Sequence, residues 1–302
     1  MRRPIVLIDA PSNLGLRPLR PGHVPGTWHA PEALARVGLD EALAPLRKVR
    51  LPRPAYEPEA QPGTRLRNGQ SIRAFNLMLA DAVSAAVGAG EFPVVVGGDC
   101  SILLGALAGG RRLGPLSLVH VDGHSDFRHP GNYDSAAMLG AVAGMDLALA
   151  TGRGEALLTG WPDAPAPLVP DEQVVQIGER EGRDADFAWP DVNETAITRI
   201  DVFTAREIGV PSVIERTHNT LDRTGWPFWL HFDVDVLDQA IMPAVDTPGS
   251  PGIDPAELVV LLRSLIKDAR CAGLTITIYD PTLDPQGTYA RLVVSLLHNV
   301  FA

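Results

Sequence analysis

Cysteine is nearly absent from this 302-residue chain. Cys100 and Cys271 are the only two, too few for the disulfide framework of a small secreted protein, so each must serve packing or chemistry. No apolar run approaches the roughly 20 residues that cross a bilayer, and Ile5 to Ile8 is too short for a signal-peptide core. A soluble, cytoplasmic protein with no membrane partner is expected. Basic residues are the minority, 26 against 36 acidic ones, and a net charge of -10 repels phosphate backbones, which argues against nucleic acid as a partner. Charge blocks, internal repeats and long linkers are lacking too, so one domain over residues 1–302 is expected. The composition that remains is ordinary for a globular chain, 45% hydrophobic and 21% charged, with enough Gly (29) and Pro (27) to imply many loops.

Short β-branched or aromatic runs alternate with amphipathic stretches, the pattern of βαβ units stacked into a parallel sheet. Strands are predicted over Ile5–Ile8, Pro93–Val96, Leu116–Val121, Gln173–Ile177, Phe228–Phe232 and Leu274–Tyr279. Helices are predicted over Ser71–Val87 and Asp254–Ala269, after Ser101, and over Ser135–Ala150. The Pro- and Gly-rich stretches 16–27, 51–63 and 161–170 are excursions from that core.

Chemistry-bearing residues collect just after three of these strands, where ligands bind in an open parallel sheet. Gly97-Gly98-Asp99-Cys100-Ser101 follows the first; taken alone, it reads best as a glycine turn into a helix capped by Asp99 or Ser101. Asp122-Gly123-His124-Ser125-Asp126 follows the second. Residues two apart on an extended segment share a face, so Asp122, His124 and Asp126 can converge on one point. The strand before them is apolar and central, where unpaired carboxylates are costly, and this favours a metal. Asp233-Val234-Asp235 follows the third strand, with a loop of solvated carboxylates as the plain alternative. Together Cys100, Asp122, His124, Asp126, Asp233 and Asp235 are enough to hold two divalent ions. His120 and His231 each precede a ligand by two residues and are expected deeper on the same face, while Cys271 is expected to be a small buried hydrophobe.

These motifs resemble the ureohydrolase family of arginase, agmatinase and formimidoylglutamase. The likeness runs from residues 8–15 through residues 30–39, GGDCS, DGHSD, residues 176–181 and HFDVDVLD. It implies a three-layer α/β/α fold with a mostly parallel sheet of about eight strands and a homo-oligomer, trimeric or hexameric. It also implies a pair of Mn²⁺ ions and hydrolysis of a guanidino or amidino substrate by a hydroxide held between them. By the same resemblance, Cys100, Asp122, Asp126 and Asp233 hold one ion, and His124, Asp122, Asp233 and Asp235 the other. Asp126 orients the nucleophile.

Four departures from the family pattern bear on substrate and metal. GGDHS reads GGDCS here, and a thiolate shifts the metal preference from Mn²⁺ toward Zn²⁺, Fe²⁺ or Co²⁺. The family's Ser-Gly-Asn-x-His-Gly, whose His shuttles protons, is matched to residues 131–136, which puts Asp134 in that role with His129 as a substitute and Asn132 beside the substrate. Ile278 takes the place of a guanidinium-binding Glu, which Asp280 or Tyr279 could fill only with a change of register. Glu181, Arg183, Asp184 and Asp186 occupy the region that grips the substrate head group, with an exposed charged loop as the alternative. A modified, less basic guanidine such as N-hydroxyarginine fits these departures better than arginine. The other readings are a thiol amidinohydrolase using Cys100 with His124 as base, and an inactive scaffold.

Overall fold

The apolar runs pair into one sheet. The computed structural model describes residues 3–302. Among them are eight strands: β1 (Ile5–Ala10), β2 (Arg47–Arg50), β3 (Phe92–Gly97), β4 (Ser117–Val121), β5 (Val174–Ile177), β6 (Thr198–Ile200), β7 (Phe228–Asp233) and β8 (Cys271–Thr277). Their order is β2-β1-β3-β8-β7-β4-β5-β6, and every neighbouring pair is parallel. Parallel pairing requires crossovers. The helices α1 (Ala30–Arg36), α2 (Leu39–Leu43), α3 (Gly69–Gly88), α4 (Ile102–Arg111), α5 (Asp146–Ala150), α6 (Ala156–Thr159), α7 (Val202–Leu221), α8 (Pro255–Lys267) and α9 (Thr288–Phe301) supply most of them.

Successive side chains of a strand point to opposite faces, so a buried sheet divides its apolar residues between two cores. Leu7, Val94, Val96, Val119 and Val121 pack into one, with residues from α1, α2, α7, α8 and α9. Val6, Ile8, Val95, Leu118 and Trp229 pack into the other, with residues from α3, α4, α5 and α6. The result is the expected three-layer α/β/α arrangement. No helix among the described residues is long and apolar enough to cross a membrane.

Several elements differ from the expected pattern. The edge strands β2 and β6 are half solvated, with no apolar run to announce them; β2 reads Arg-Lys-Val-Arg. α7 is broken at Gly209, whose φ of 75° is followed by Pro211, and this punctuation hides its periodicity. α9 buries Ala290, Val293, Leu297 and Val300 on the first core. The helix expected over Ser135–Ala150 begins only at Asp146, after a 3-10 turn at Val142–Met145, because Gly140 and Gly144 interrupt it. The last strand runs Cys271–Thr277 rather than to Tyr279, since Ile278 turns out of it with φ 71°.

The chain runs from β3 to β4, yet β8 and β7 lie between them in the sheet. The crevice beyond the carboxyl ends of these four central strands is where such a sheet binds ligands.

Gly273 of β8 lies opposite Trp229 of β7, and an added methyl would run into the indole ring. Gly273→Ala is therefore expected to cost about 1–3 kcal/mol of stability in denaturant unfolding, whereas Gly88→Ala, at an exposed helix position with open space around it, should cost nothing measurable or stabilise slightly. Equal costs at the two sites would show that the Trp229 contact does not constrain the sheet.

Candidate metal centre

β3 delivers Cys100 to the crevice by using Asp99 elsewhere. The Asp99 carboxylate accepts hydrogen bonds from Ser12 Oγ (2.8 Å), Gly15 N (3.1 Å) and Ser101 N (3.0 Å), so it caps the turn and ties it to the loop after β1. Gly98 is pressed against the Ser12 backbone with no room for a Cβ. Cys100, 2% exposed, is left pointing inward, and its thiol donates to Asp233 Oδ2 at 2.8 Å.

The register of the neighbouring strands aligns the carboxylates. β4 and β7 pair His120 with His231 and Val121 with Phe232, which brings Asp122 next to Asp233 just beyond. Asp122 Oδ1 accepts from His124 N (2.6 Å), whereas Asp122 Oδ2 is buried without a hydrogen-bond partner. Asp233 accepts from Asp235 N at Oδ1 (2.8 Å) and from Thr277 Oγ1 at Oδ2 (3.0 Å). Asp235 Oδ2 lies 2.9 Å from His124 Nδ1. Gly123 leaves room for the Arg180 guanidinium, which donates to the Asp235 carbonyl.

Two sets of ligand atoms result, each within 4.8 Å: Cys100, Asp122 and Asp233 with His231, and Asp122, His124 and Asp235. Asp122 belongs to both. Asp126, 9% exposed and held at φ 45°, groups with Cys100 and with Asp122. The structure thus brings together all six ligand candidates.

Electrostatics explains why cations belong here. Burial pushes Asp122, Asp126 and Asp233 well above the usual carboxylate range, and the neighbouring carboxylates add to it. Burial, then Asp233, pushes the Cys100 thiol up as well. Burial alone would lower His124, but the Asp235 carboxylate overrides it and raises the imidazole to about 9. Burial would raise Asp235, yet His124 and Arg180 hold it low. A cluster of oxygen, nitrogen and sulfur donors with an orphaned carboxylate oxygen fits divalent ions.

The candidates for catalysis and substrate binding fare differently. A cleft of about 290 Å³ opens above the cluster, and of those residues it is lined by Asp126 and Glu181. Burial raises Glu181 above its ordinary value. Asn132 is used within its loop, donating to Phe127 O (2.8 Å) and Asp191 (3.1 Å), and His129 Nε2 also lies against Asp191 at 2.6 Å. Arg183 pairs with Asp201 at 3.0 Å, and Asp184 caps its own turn through Asp186 N (2.9 Å). Asp134 is exposed and accepts from Ala136 N and Ala137 N (2.9 and 3.1 Å), away from the cleft lining. The stretch that does line the cleft is Ala141, Ala143 and Gly144. Gly140 and Gly144 repeat the glycine spacing of the Ser-Gly-Asn-x-His-Gly pattern, with Ala143 at the histidine place. Asp134 and His129 drop out of reach because their loop closes on Asp191 instead.

Sequence reasoning missed Arg17, Arg128 and Trp189, which also line the cleft, and Asp146 beneath it; Asp246 and Thr247, in the loop that continues the third cluster, line it too. The signal for Asp146 was a single carboxylate in an otherwise apolar run from Val142 to Ala150, fully buried here.

A parallel α/β/α sandwich with a nest of metal-ligand side chains at its central strand ends defines a metal-dependent hydrolase of the arginase type. The sequence profile of the arginase family matches residues 5–302, and the chain belongs to that family. It is 34% identical to an arginase of Brevibacillus brevis over 233 residues, 75% of this chain and 74% of that one. It is 29% identical to the arginase of Bacillus caldovelox over 245 residues, 80% of this chain and 79% of that one. The native crystal structure of the Bacillus caldovelox arginase superposes with a TM-score of 0.85 at 27% identity, over 99% of this chain and 98% of that one. A proclavaminate amidino hydrolase from Streptomyces clavuligerus, at 20% identity and TM-score 0.67 over 99% and 91%, shares the fold.

The raised carboxylates set a pH dependence. Each contributes stability that is complete below the unfolded pKa of about 3.9 and is lost as pH rises through its folded value. His124, raised to about 9, acts the same way between about 6.5 and 9. The metal-free protein is therefore expected to melt at a lower temperature at pH 8 than at pH 5. Because ions displace those protons, Mn²⁺ at 100 times its Kd should restore about 2.7 kcal/mol at pH 8 and less at pH 5. Thermal melts showing equal stabilisation at both pH values would place the ions elsewhere.

Proposed function

We propose that the chain is a binuclear-metal hydrolase that cuts a C–N bond of a guanidino or amidino compound, with N-hydroxyarginine favoured over arginine. The observation that carries this reading is the convergence of Cys100, Asp122, His124, Asp126, Asp233 and Asp235 at the closed end of one cleft. Cys100, Asp122, Asp126 and Asp233 would hold one ion, and His124, Asp122, Asp233 and Asp235 the other. The soft Cys100 ligand makes Zn²⁺, Fe²⁺ or Co²⁺ alternatives to Mn²⁺. Divalent ions in such sites lower the pKa of water toward neutrality and so supply a nucleophile for a planar amidine carbon.

The chain's own groups position the rest. Asp126 stands at the cleft wall among the ligands, where its carboxylate takes the proton of the attacking water and hands it to the leaving amine. Arg17 and Arg128 line the cleft together with Glu181 and Asp246, so both signs of charge are offered to a zwitterionic amino-acid head group. Trp189, with the Arg128 guanidinium 4.6 Å from its ring, forms an aromatic part of the wall. Ile278, 4% exposed, presents an alkyl surface to the cleft and no counter-charge for a guanidinium. A fully cationic arginine side chain is penalised there, and the electron-withdrawing hydroxyl of N-hydroxyarginine reduces that penalty.

Steady-state kinetics on protein loaded separately with Mn²⁺, Zn²⁺, Fe²⁺ and Co²⁺ tests this. The kcat/KM for N-hydroxyarginine should exceed that for arginine by about tenfold or more, about 1.4 kcal/mol. Ile278→Glu should narrow the ratio, and Asp126→Asn should lower kcat by about 10²–10⁴ with metal content retained in part. A preference for arginine would overturn the substrate assignment. Absence of turnover of any guanidino compound with all four metals would overturn the reading itself.

A further inference from the structure

Below the proposed pair of ions, on the same face of the sheet, lies a second group of buried donors that the hydrolytic reading does not use. His120 and His231 sit opposite each other on β4 and β7 with their rings stacked at 4.8 Å, and Asp146 enters from the first residue of α5. All three have zero exposure. Asp122, the next residue on the His120 face, turns its unpartnered Oδ2 toward them.

We propose that His120, His231 and Asp146, together with Asp122 Oδ2, form a closed site for a third divalent ion of the zinc type. His120 Nε2 lies 3.3 Å from Asp146 Oδ1 and 3.7 Å from Asp122 Oδ2. His231 Nε2 lies 3.8 Å from Asp146 Oδ2 and 3.9 Å from Asp122 Oδ2. A tetrahedron with metal–ligand bonds of about 2.0–2.1 Å has edges of about 3.3–3.5 Å, so each of these four histidine–carboxylate spacings is within a few tenths of an ångström of an edge of one metal site. Three of the spacings are too long for hydrogen bonds, and the fourth is at the long end.

Two further observations separate this from a plain polar network. The first is orphaned polarity. Asp146 Oδ2 and Asp122 Oδ2 are both buried without a hydrogen-bond partner, an expensive arrangement that one cation, shared by both carboxylates, would relieve. The second is ligand orientation. His231 Nδ1 is 2.8 Å from Thr275 Oγ1, a bond that fixes the ring and leaves Nε2 facing Asp146 and Asp122, as outer partners of metal-bound histidines do. Two imidazoles with carboxylates, closed to solvent, suit a structural zinc ion better than Mg²⁺ or Ca²⁺, which take oxygen ligands in open shells.

Zinc content and position test this on the full chain. Protein stripped with chelator, reloaded with Zn²⁺ and freed of excess is expected to hold about three ions per chain, falling to about two in His231→Ser and in His120→Asn. Independently of any variant, anomalous diffraction at the zinc edge should show a peak about 2.0–2.2 Å from His120 Nε2, His231 Nε2 and Asp146. Two ions in the wild type with no peak there would overturn the third site and leave the binuclear reading standing. A single ion at that peak would do the reverse. Three ions retained in both variants would also overturn it.

Discussion

Carboxylates of like charge packed out of water are the constraint around which the molecule is arranged. Two such charges about 4 Å apart repel by about 4 kcal/mol at an effective dielectric near 20, and here several such pairs meet at the ends of central strands. No protein group offsets them all: His124 and Arg180 serve Asp235, while Asp122 keeps an unpartnered oxygen. The fold maintains this concentration by geometry. Register sets Asp122 beside Asp233, Gly98 and Gly123 permit backbone approach, and Asp99 is withdrawn to hold the loop after β1. The family's metal dependence follows from that arrangement as a physical necessity, since the ionised cluster needs cations to be tolerable.

The specialised features lie one layer out. The cleft is lined by Ala143 and Ile278 as well as by ligand candidates, and it gathers Arg17, Arg128, Glu181 and Asp246 around its walls.

Much of this was legible in the sequence wherever a local rule applied. Alternation by two singled out Asp122, His124 and Asp126, which gather at the cluster although the strand ends at Val121 and Asp126 is held at φ 45°, and the apolar strands before each motif placed them inside. The central strands, buried on both faces, read as continuous apolar runs, while β2 and β6 at the solvated edges carried no such mark. Asp146 stood out only as a lone carboxylate in an apolar run, and its partners were hidden for a different reason. Its relation to His120 and His231 passes through the packing of α5 on the sheet, and no spacing along the chain encodes a contact made by folding. The loop containing Asp134 shows the limit of motif matching, because the Gly131-Asn132 pair fits one register and the spacing of Gly140 and Gly144 another, and the cleft is lined by the second while the first closes on Asp191.

Ile278 carries a consequence for how this chain can evolve. A β-branched residue at φ 71° stores roughly 1–3 kcal/mol of backbone strain, held in place by its amide donating to Gly98 O at 2.8 Å. Glycine or asparagine would relax it, so selection for thermal tolerance alone pushes this codon away from isoleucine. Its persistence would mark a lineage in which chemistry, not durability, governs the choice.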